Sequence, residues 1–305
     1  MSTIEELNNQ FGIPGVARVE GGAGGLPRVA VTAPGGAEAH VYLHGAHVSH
    51  YRPAAGAPPV LYQSPRSAYA DSKAIRAGVP VIFPWFGPRH GTDTAAMHGF
   101  VRTRAWELQA ISRQGDDVRV SFALSSTPEM LAAANFPHAF ALRLNVTVAA
   151  TLAIEMEVEN RSAQELPFEN ALHTYFHVGD VRQISVSGLA DTDFLDKNRG
   201  MSRFTDREDP LRFAGPTDRV YLDTPATCTI VDPVLGRRIV LAKDGSRTTV
   251  VWNPWSDKIT SMADLPAEDW PKFVCVETCN ARDNALRLPP GGRHAMRLSI
   301  HAEAL

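Results

Sequence analysis

The hydrophobic positions of this 305-residue chain recur mostly at every second residue. The clearest example covers residues 142–148 and 152–158, where Leu, Val, Ile and Met alternate with mostly polar residues in two consecutive runs. A period of two places the apolar side chains on one face of a strand, so these runs predict a β-hairpin with one face in the core. Only residues 1–12, as a short amphipathic segment, and residues 127–135 predict a helix.

Shorter β-like runs fill most of the remaining chain, and Gly, Pro and Asp turns separate them. Further strands are predicted at 28–32, 39–43, 60–63, 105–111, 118–124, 183–187, 227–231, 238–242, 248–252, 273–278 and 296–302. Many short strands with almost no helical periodicity are typical of an antiparallel sandwich or barrel. Because no linker interrupts the pattern, we expect one domain over residues 1–305, with residues 1–25 as an N-terminal extension.

Composition narrows the class of partner. The chain is 44% hydrophobic and 21% charged, as globular proteins are, and its net charge is −3 without a basic run. Nucleic acids and anionic membranes are bound by clustered Lys and Arg, so neither is an expected partner. No leader pattern and no apolar stretch of roughly 20 residues is present. The three cysteines suggest no disulfide framework, so we expect a cytoplasmic protein, with a monomer as the working hypothesis.

Two apolar runs carry a candidate acid–base pair. Residues 168–180 predict a strand that contains His173 and His177, and residues 273–280 form a second dense apolar run with Glu277 in its middle. A buried carboxylate is costly unless it is paired or used in chemistry. A histidine in one core strand and a glutamate in another could therefore face each other across a small-molecule site. Alone, His173 would be interpreted as an ordinary core histidine.

Residues 64–104 predict a long loop, which is uncommon inside a compact domain and often functional. Arg76 and Arg102 lie near glycines in this loop, where the backbone can approach a ligand closely. Two converging arginines suit a phosphate, because the guanidinium fork matches its oxygens. Two surface ion pairs would explain the same spacing.

Other chemistries find less support. The spacing of His44, His47 and His50 alternates between the faces of a strand, and His173 and His177 lack the further convergent ligands of a zinc site. Neither a nucleophile elbow nor a dinucleotide-binding or phosphate-binding glycine motif is present. We therefore predict no metal and no cofactor. Cys275 and Cys279 are interpreted as core residues, and Trp252 and Trp255 as core or as a wall for a sugar face.

Five motifs, in this order along the chain, resemble those of the hexose-6-phosphate mutarotases, the glucose-6-phosphate 1-epimerases of the galactose-mutarotase-like superfamily. They are Asp71-Ser-Lys-Ala-Ile-Arg-Ala-Gly-Val-Pro80, Phe83-Pro-Trp-Phe-Gly87, His98-Gly-Phe-Val-Arg102, His173-Thr-Tyr-Phe176 and Val276-Glu-Thr-Cys-Asn280. The resemblance extends from residue 30 to residue 300. Ala77 stands where the family usually has glycine, and Trp85 and Val101 replace commoner residues.

The resemblance implies an all-β fold, a large antiparallel β-sandwich of the galactose-mutarotase-like supersandwich type with a few short helices and a sugar cleft on one face. The implied activity interconverts the α- and β-anomers of D-glucose 6-phosphate. One group takes a proton from the C1 hydroxyl while another gives a proton to the ring oxygen, so the ring opens and recloses on the other face. The resemblance implies His173 as acid, Glu277 as base, Arg76 and Arg102 as phosphate ligands, and His98 and Asp218 as contacts to sugar hydroxyls.

Two other functions stay open from the sequence. An aldose 1-epimerase for unphosphorylated sugars would share the acid–base pair, but two arginines in its cleft would have no anion to neutralise. A non-catalytic carbohydrate-binding β-sandwich would keep aromatic contacts, but it would have no need for a buried carboxylate opposite a histidine.

Overall fold

The computed structural model confirms the all-β prediction, and it describes residues 2–89 and 96–305. Three α-helices occur in these residues, α1 (Ile4–Phe11), α2 (Pro128–Ala133) and α3 (Trp255–Ile259), together with 3₁₀ segments at Ala23–Gly25, Val101–Thr103, Lys197–Arg199, Ala267–Lys272 and Arg282–Asn284. None of the helices in the described part of the chain is both long and apolar enough to span a bilayer.

Strands account for most of the regular structure. In chain order the described residues form β1 (Ala17–Gly21), β2 (Pro27–Thr32), β3 (Glu38–Tyr42), β4 (His47–Arg52), β5 (Val81–Ile82), β6 (Glu107–Gln114), β7 (Asp117–Ser125), β8 (Phe140–Val148), β9 (Thr151–Asn160), β10 (Leu166–Phe168), β11 (Asn170–Leu172), β12 (Tyr175–His177), β13 (Ser185–Ser187), β14 (Asp193–Asp196), β15 (Ser202–Thr205), β16 (Leu211–Arg212), β17 (Thr217–Tyr221), β18 (Cys228–Asp232), β19 (Arg237–Asp244), β20 (Thr248–Asn253), β21 (Phe273–Asn280), β22 (Leu286–Leu288) and β23 (Arg293–Ala304).

Two large antiparallel sheets dominate the described residues. One has the order β16-β13-β18-β19-β23-β9-β8-β7-β6, and the other has the order β15-β14-β17-β20-β21-β11-β5, with β12 also paired to β21. Smaller sheets are formed by β1-β2-β3-β4 and by β10-β22. The apolar faces of the two large sheets enclose one main core, which includes Met156 of β9 and Val276 of β21. The predicted sandwich is therefore confirmed.

The strongest sequence predictions hold. β8 and β9 form the predicted hairpin, and Leu144 pairs with Met156 in a register that turns both side chains into the core. Both predicted helices are present and both have a threonine N-cap, because Thr3 closes a capping box and Thr127 accepts a hydrogen bond from the Met130 backbone. Met1, at the start of the first predicted helix, lies outside the described residues.

Three predicted elements differ in the structure. Residues 168–180 do not form one strand but the three short strands β10, β11 and β12, because the chain leaves the ladder after Leu172. At that point the His173 backbone N–H bonds to the Pro80 carbonyl at 3.0 Å. Residues 60–63 form only isolated bridges, at Leu61 and Gln63. Residues 17–21 of the predicted N-terminal extension are strand β1, paired with β2.

The long loop predicted at 64–104 has little regular structure where it is described, namely β5 and one 3₁₀ turn. Residues 90–95 of this prediction lie outside the described residues. Two backbone hydrogen bonds join the loop to the strands after β11, since His173 binds Pro80 and Tyr175 donates to Gly78 at 2.9 Å. The loop is thereby held against the eight-stranded sheet.

The central strand β21 has two different faces. Val274 and Val276 point into the main core, whereas Cys275 and Cys279 belong to two small clusters on the opposite side of the sheet. We call this side the outer face. Since side chains alternate along a strand, Glu277 also lies on the outer face, between the two clusters.

Candidate active site

Strand registers place the polar side chains of the outer face in one area. Asp218 of β17 pairs with Trp252 of β20, Trp252 pairs with Cys275, and Cys275 pairs with Tyr175 of β12. Glu277 lies two residues further along β21, and so on the same face as Cys275. The residues that a ligand would meet here therefore come from four strands that are distant in sequence.

His173 and Glu277 form the predicted pair. His173 Nε2 lies 3.3 Å from Glu277 Oε1, and the two side chains are 10% and 1% exposed. The His173 ring stacks on Tyr175, with centroids 5.0 Å apart, and meets Trp252 edge-on at 6.3 Å. His173 Nδ1 and Glu277 Oε2 are buried without a hydrogen-bond partner. Polar atoms in this state are costly unless a ligand satisfies them, so the pair has unused bonding capacity.

Burial shifts both groups toward their neutral forms. It lowers the pKa of His173 well below its ordinary value, and the neighbouring His98, Arg102 and Arg76 lower it further. Burial raises the pKa of Glu277 well above its ordinary value, an effect that Lys197 opposes and Asp218 reinforces. Between these two groups the proton is therefore favoured on the carboxyl group.

His98 contributes a hydrogen-bond donor beside this pair. Its ring lies 5.4 Å from the His173 ring and meets Phe86 edge-on at 4.9 Å. Burial, with nearby cations, lowers the pKa of His98 well below its ordinary value, so the imidazole is neutral near pH 7. The Gly87 backbone N–H donates to His98 Nδ1 at 3.2 Å, which assigns the proton to Nε2. A neutral imidazole with a free N–H suits a sugar hydroxyl.

A cationic cavity of about 550 Å³ adjoins the pair. Its lining includes the cations Lys73, Arg76 and Arg102, the carboxylate Asp264, and the rings of His173 and Tyr175. Arg76 Nε donates to Asp264 at 2.8 Å, and Arg76 Nη1 donates to the Tyr175 hydroxyl at 2.9 Å. The two predicted arginines thus converge on one cavity, although they come from opposite ends of the loop.

Arg102 has no carboxylate partner within salt-bridge distance among the described residues. Its Nη2 donates to the Met97 carbonyl at 2.7 Å, and its Nε is buried without a partner. Burial lowers the pKa of Arg102 to about 10, so the guanidinium stays charged near pH 7. A half-buried cation without a counter-ion costs free energy, and an incoming anion would offset that cost.

Asp218 lies on the outer face with a lysine beside it. Lys197 Nζ is 3.4 Å from Asp218 Oδ2, while Asp218 Oδ1 is buried without a partner. Burial raises the pKa of Asp218, and Lys197 opposes the shift. The Lys197 ammonium also lies 5.8 Å from the centroid of the Phe86 ring. The free carboxylate oxygen can accept a hydrogen bond from a sugar hydroxyl, and the neighbouring ammonium can donate one to a hydroxyl oxygen.

All six residues that the sequence predicted for the site lie around this area, and the structure adds others. Lys73, Tyr175 and Lys197 were not singled out, although Lys73 lies in the same motif as Arg76. Trp252 lies beside His173, as the sugar-wall interpretation requires. Trp255 instead packs against Trp270 in a tilted arrangement, with centroids 4.5 Å apart. Trp85 is buried in the main core.

The histidine clusters considered from sequence do not form metal sites in the described residues. His44 binds the Lys73 carbonyl at 2.7 Å, and the ring of His50 lies 5.0 Å from that of His40. One different group has metal-like spacing in residues 2–89 and 96–305, namely His173, Cys275 and Glu277, whose ligand atoms all lie within 4.8 Å of one another.

Known proteins share this sequence pattern and this fold. The aldose 1-epimerase family model matches residues 27–301. A protein of Escherichia coli K12, provisionally named glucose-6-phosphate 1-epimerase, is 37% identical over 242 residues, which are 79% of each chain. A protein of Cenchrus ciliaris with the same provisional name is 30% identical over 288 residues, 91% of this chain and 85% of its own. The crystal structure of a Salmonella typhimurium protein, provisionally described as a mutarotase, superposes with a TM-score of 0.87 at 30% identity, covering 95% of this chain and 94% of that one.

Proposed function

This chain belongs to the aldose 1-epimerase family, and from that membership we propose that it is a hexose-6-phosphate mutarotase, which interconverts the α- and β-anomers of D-glucose 6-phosphate. The ligand is a small sugar. The reaction needs no cofactor, metal or covalent intermediate, because proton transfer alone opens and closes the ring. We further propose that the protein is cytoplasmic, in keeping with its three free buried cysteines. A monomer is our proposal for its oligomeric state.

The cationic cavity beside the catalytic pair is the observation that carries the proposal. Three cations and one carboxylate line it, so its formal charge is 3 − 1 = +2. A phosphate monoester carries about −1.5 to −2 charges at pH 7, which matches this value. An unphosphorylated sugar would leave Arg102 without a counter-ion, and that would be a cost with no benefit.

Proton transfers within the cleft follow from the positions of its groups. With the phosphate held at Arg76 and Arg102, the sugar ring extends toward His173 and Glu277. Glu277 takes the proton of the C1 hydroxyl while His173 gives a proton to the ring oxygen, which breaks the bond between C1 and the ring oxygen. The resulting carbonyl turns its other face, and the reverse transfers close the ring as the other anomer.

This assignment requires an imidazolium at His173 and a carboxylate at Glu277, the reverse of the arrangement that the protein groups alone favour. Burial is the largest cause of the low pKa of His173; His98 adds to it, and so do Arg102 and Arg76. A phosphate dianion between the two arginines offsets their part of this shift, and so makes transfer of the carboxyl proton to His173 across the 3.3 Å separation less unfavourable. Binding of the phosphorylated substrate would thus help to set the pair for catalysis.

The decisive experiment measures anomer exchange by proton NMR in glucose 6-phosphate and in glucose, at equal concentration and with the uncatalysed rate subtracted. We expect the enzyme to accelerate exchange of glucose 6-phosphate far more than that of glucose. Equal acceleration of both sugars would favour an aldose 1-epimerase for free sugars. Binding without acceleration of either would favour a non-catalytic carbohydrate-binding protein.

A further inference from the structure

The thiol of Cys275 lies within the catalytic pair, and the proposed reaction does not use it. Its Sγ is within 4.8 Å of the ligand atoms of both His173 and Glu277. Cys275 is fully buried and forms no disulfide. Because residues 275 and 277 lie on the same face of β21, a rigid central strand places a thiol beside the carboxylate.

Two of these three side chains have unused bonding capacity. Glu277 Oε2 and His173 Nδ1 are buried without a hydrogen-bond partner. Zinc ligands about 2.0–2.3 Å from the metal lie roughly 3.3–3.8 Å from one another in a tetrahedron. The 3.3 Å between His173 Nε2 and Glu277 Oε1 already fits one edge. The other ligand atoms lie at most 4.8 Å apart, so their separations need to shorten by only about 1 Å to reach the tetrahedral range.

The donor set selects the class of cation. Thiolate and imidazole favour zinc-group cations, whereas magnesium and calcium prefer oxygen ligands alone. A divalent cation with one thiolate, one carboxylate and one neutral imidazole has a net charge of zero, so it can be held in a buried place. Three protein ligands leave a fourth position open, and His173 also lines the adjoining cavity.

We propose that His173, Cys275 and Glu277 form an inhibitory site for a thiophilic divalent cation such as Zn²⁺ or Cd²⁺. A bound cation occupies the lone pairs that the acid and the base need, so anomer exchange stops until the cation is removed. The inhibition rests on the proposed function, whereas the binding does not. Cys275 thereby gains a role that its burial alone would not suggest.

The test uses metal-free full-length protein and two cysteine variants. Cys275→Ser removes the soft ligand and leaves the acid–base pair in place. Cys279→Ser is the matched control, because Cys279 is equally buried on the same face of β21 but lies outside the group. Binding of Zn²⁺ is measured by calorimetry, and binding of Cd²⁺ by its thiolate charge-transfer absorption. Anomer exchange is followed in parallel, with Mg²⁺ as the hard-cation control.

We expect the wild type and Cys279→Ser to bind one cation per chain, to show the thiolate absorption, and to lose activity that a chelator restores. Losing an outer-shell partner costs roughly 10–100-fold in metal affinity, and a direct ligand should matter at least as much. Cys275→Ser should therefore bind Zn²⁺ at least about tenfold more weakly, and it should keep its turnover when Zn²⁺ is present. If Cys275→Ser does not fold, Cys275→Ala replaces it. The proposal is overturned if the wild type binds no cation, or if the absorption survives in the Cys275 variant. If the metal-free protein shows no anomer exchange and yet binds Cd²⁺ through Cys275, the proposed function is overturned and the cation site stands.

Discussion

At the scale of single residues, the proposed chemistry depends on a carboxylate buried against an imidazole. The sequence signal for it was strong, because Glu277 is the one charge in an apolar run and His173 lies in another. What the sequence could not show is the surroundings of the pair. Lys197 and Asp218 act on the pKa of Glu277, yet they lie some sixty to eighty residues before it in the chain and reach it only through the sheet.

Removing either of the two proposed catalytic groups is predicted to abolish most anomer exchange without unfolding the protein. Glu277→Gln keeps the shape but removes the base, and His173→Asn removes the acid. General acid–base groups contribute roughly 10²–10⁴-fold in rate, and each variant should lose about that much. Exchange of glucose 6-phosphate is measured by NMR, and circular dichroism checks the fold. If either variant keeps near wild-type turnover while folded, the role assigned to that residue is wrong.

For Cys275, the sequence predicted the burial correctly but not the position beside Glu277. It was interpreted as a core residue, and it is fully buried. The same run also contains Glu277 two positions later, and a strand places such residues on one face. The proximity of thiol and carboxylate was therefore available from the sequence, whereas the approach of His173 required the pairing of β21 with β11 and β12.

At the scale of elements, the regular hairpins were predictable and the loops around the site were not. Alternation of apolar and polar residues identified β8 and β9, because both strands have one buried face. The run 168–180 is apolar on both sides, so its pattern did not reveal the breaks that separate β10, β11 and β12. Those breaks are made by side-chain and loop contacts, for example the hydrogen bond from the Phe86 backbone N–H to Glu169 Oε2 at 2.7 Å.

A glycine in the loop that carries His98 gives a prediction at this scale. Gly99 has φ of +69°, and a Cβ there would lie 1.8 Å from the Phe83 carbonyl oxygen. Gly115 has φ of +62° with nothing within 4 Å, so Gly115→Ala measures the conformational cost alone, about 1–2 kcal/mol. Gly99→Ala should be destabilised clearly more than Gly115→Ala in urea unfolding, and it should lose activity because His98 is displaced. Equal losses of stability would contradict the contact with Phe83.

At the scale of the whole molecule, the sandwich was predictable as a class but its strand order was not. Periodicity identifies strands, yet β21 pairs with β11 and β12, which lie about a hundred residues earlier in the chain. The cleft exists only once these distant pairings form, since it takes Arg76, His173, Asp218 and Glu277 from separate strands and loops. Only the resemblance to a known family implied that these residues share one cleft, and the family match confirms the resemblance itself.

Buried neutral histidines predict an acid-sensitive fold. Burial lowers the pKa of His47 to about 3, against 6.5 in an unfolded chain. Below pH 6.5 the unfolded state binds the proton and the folded state does not, so stability that is complete above this pH falls as acid is added. The slope is at most about 1.4 kcal/mol per pH unit for one histidine.

Urea unfolding between about pH 6.5 and pH 4 tests this sign. In the His47→Gln variant the unfolding free energy should fall less steeply with decreasing pH, by up to about 1.4 kcal/mol per pH unit. This difference in slope does not depend on the stability of the variant at pH 7. His301→Gln is the control, because the side chain of His301 is 46% exposed. If the unfolding free energy of the His47 variant depends on pH as steeply as that of the wild type, His47 is not the cause of the acid sensitivity.

The most direct test of the central claim compares two sugars on one arginine variant. Arg102 lacks a carboxylate partner in the described structure, so Arg102→Ala leaves no buried anion behind, whereas an Arg76 variant would leave Asp264 unpaired. Arg66→Ala serves as the control, since Arg66 is exposed in the same loop and outside the cavity lining. A charge-assisted hydrogen bond contributes about 1.5–3 kcal/mol.

The measurement is kcat/KM of wild type, Arg102→Ala and Arg66→Ala on glucose 6-phosphate and on glucose. We predict that Arg102→Ala loses roughly tenfold or more on glucose 6-phosphate, that its rate on glucose hardly changes, and that Arg66→Ala behaves as wild type on both. An equal loss on the two sugars would mean that Arg102 maintains the fold rather than binding phosphate, and it would contradict the assignment of this protein as a sugar-phosphate mutarotase.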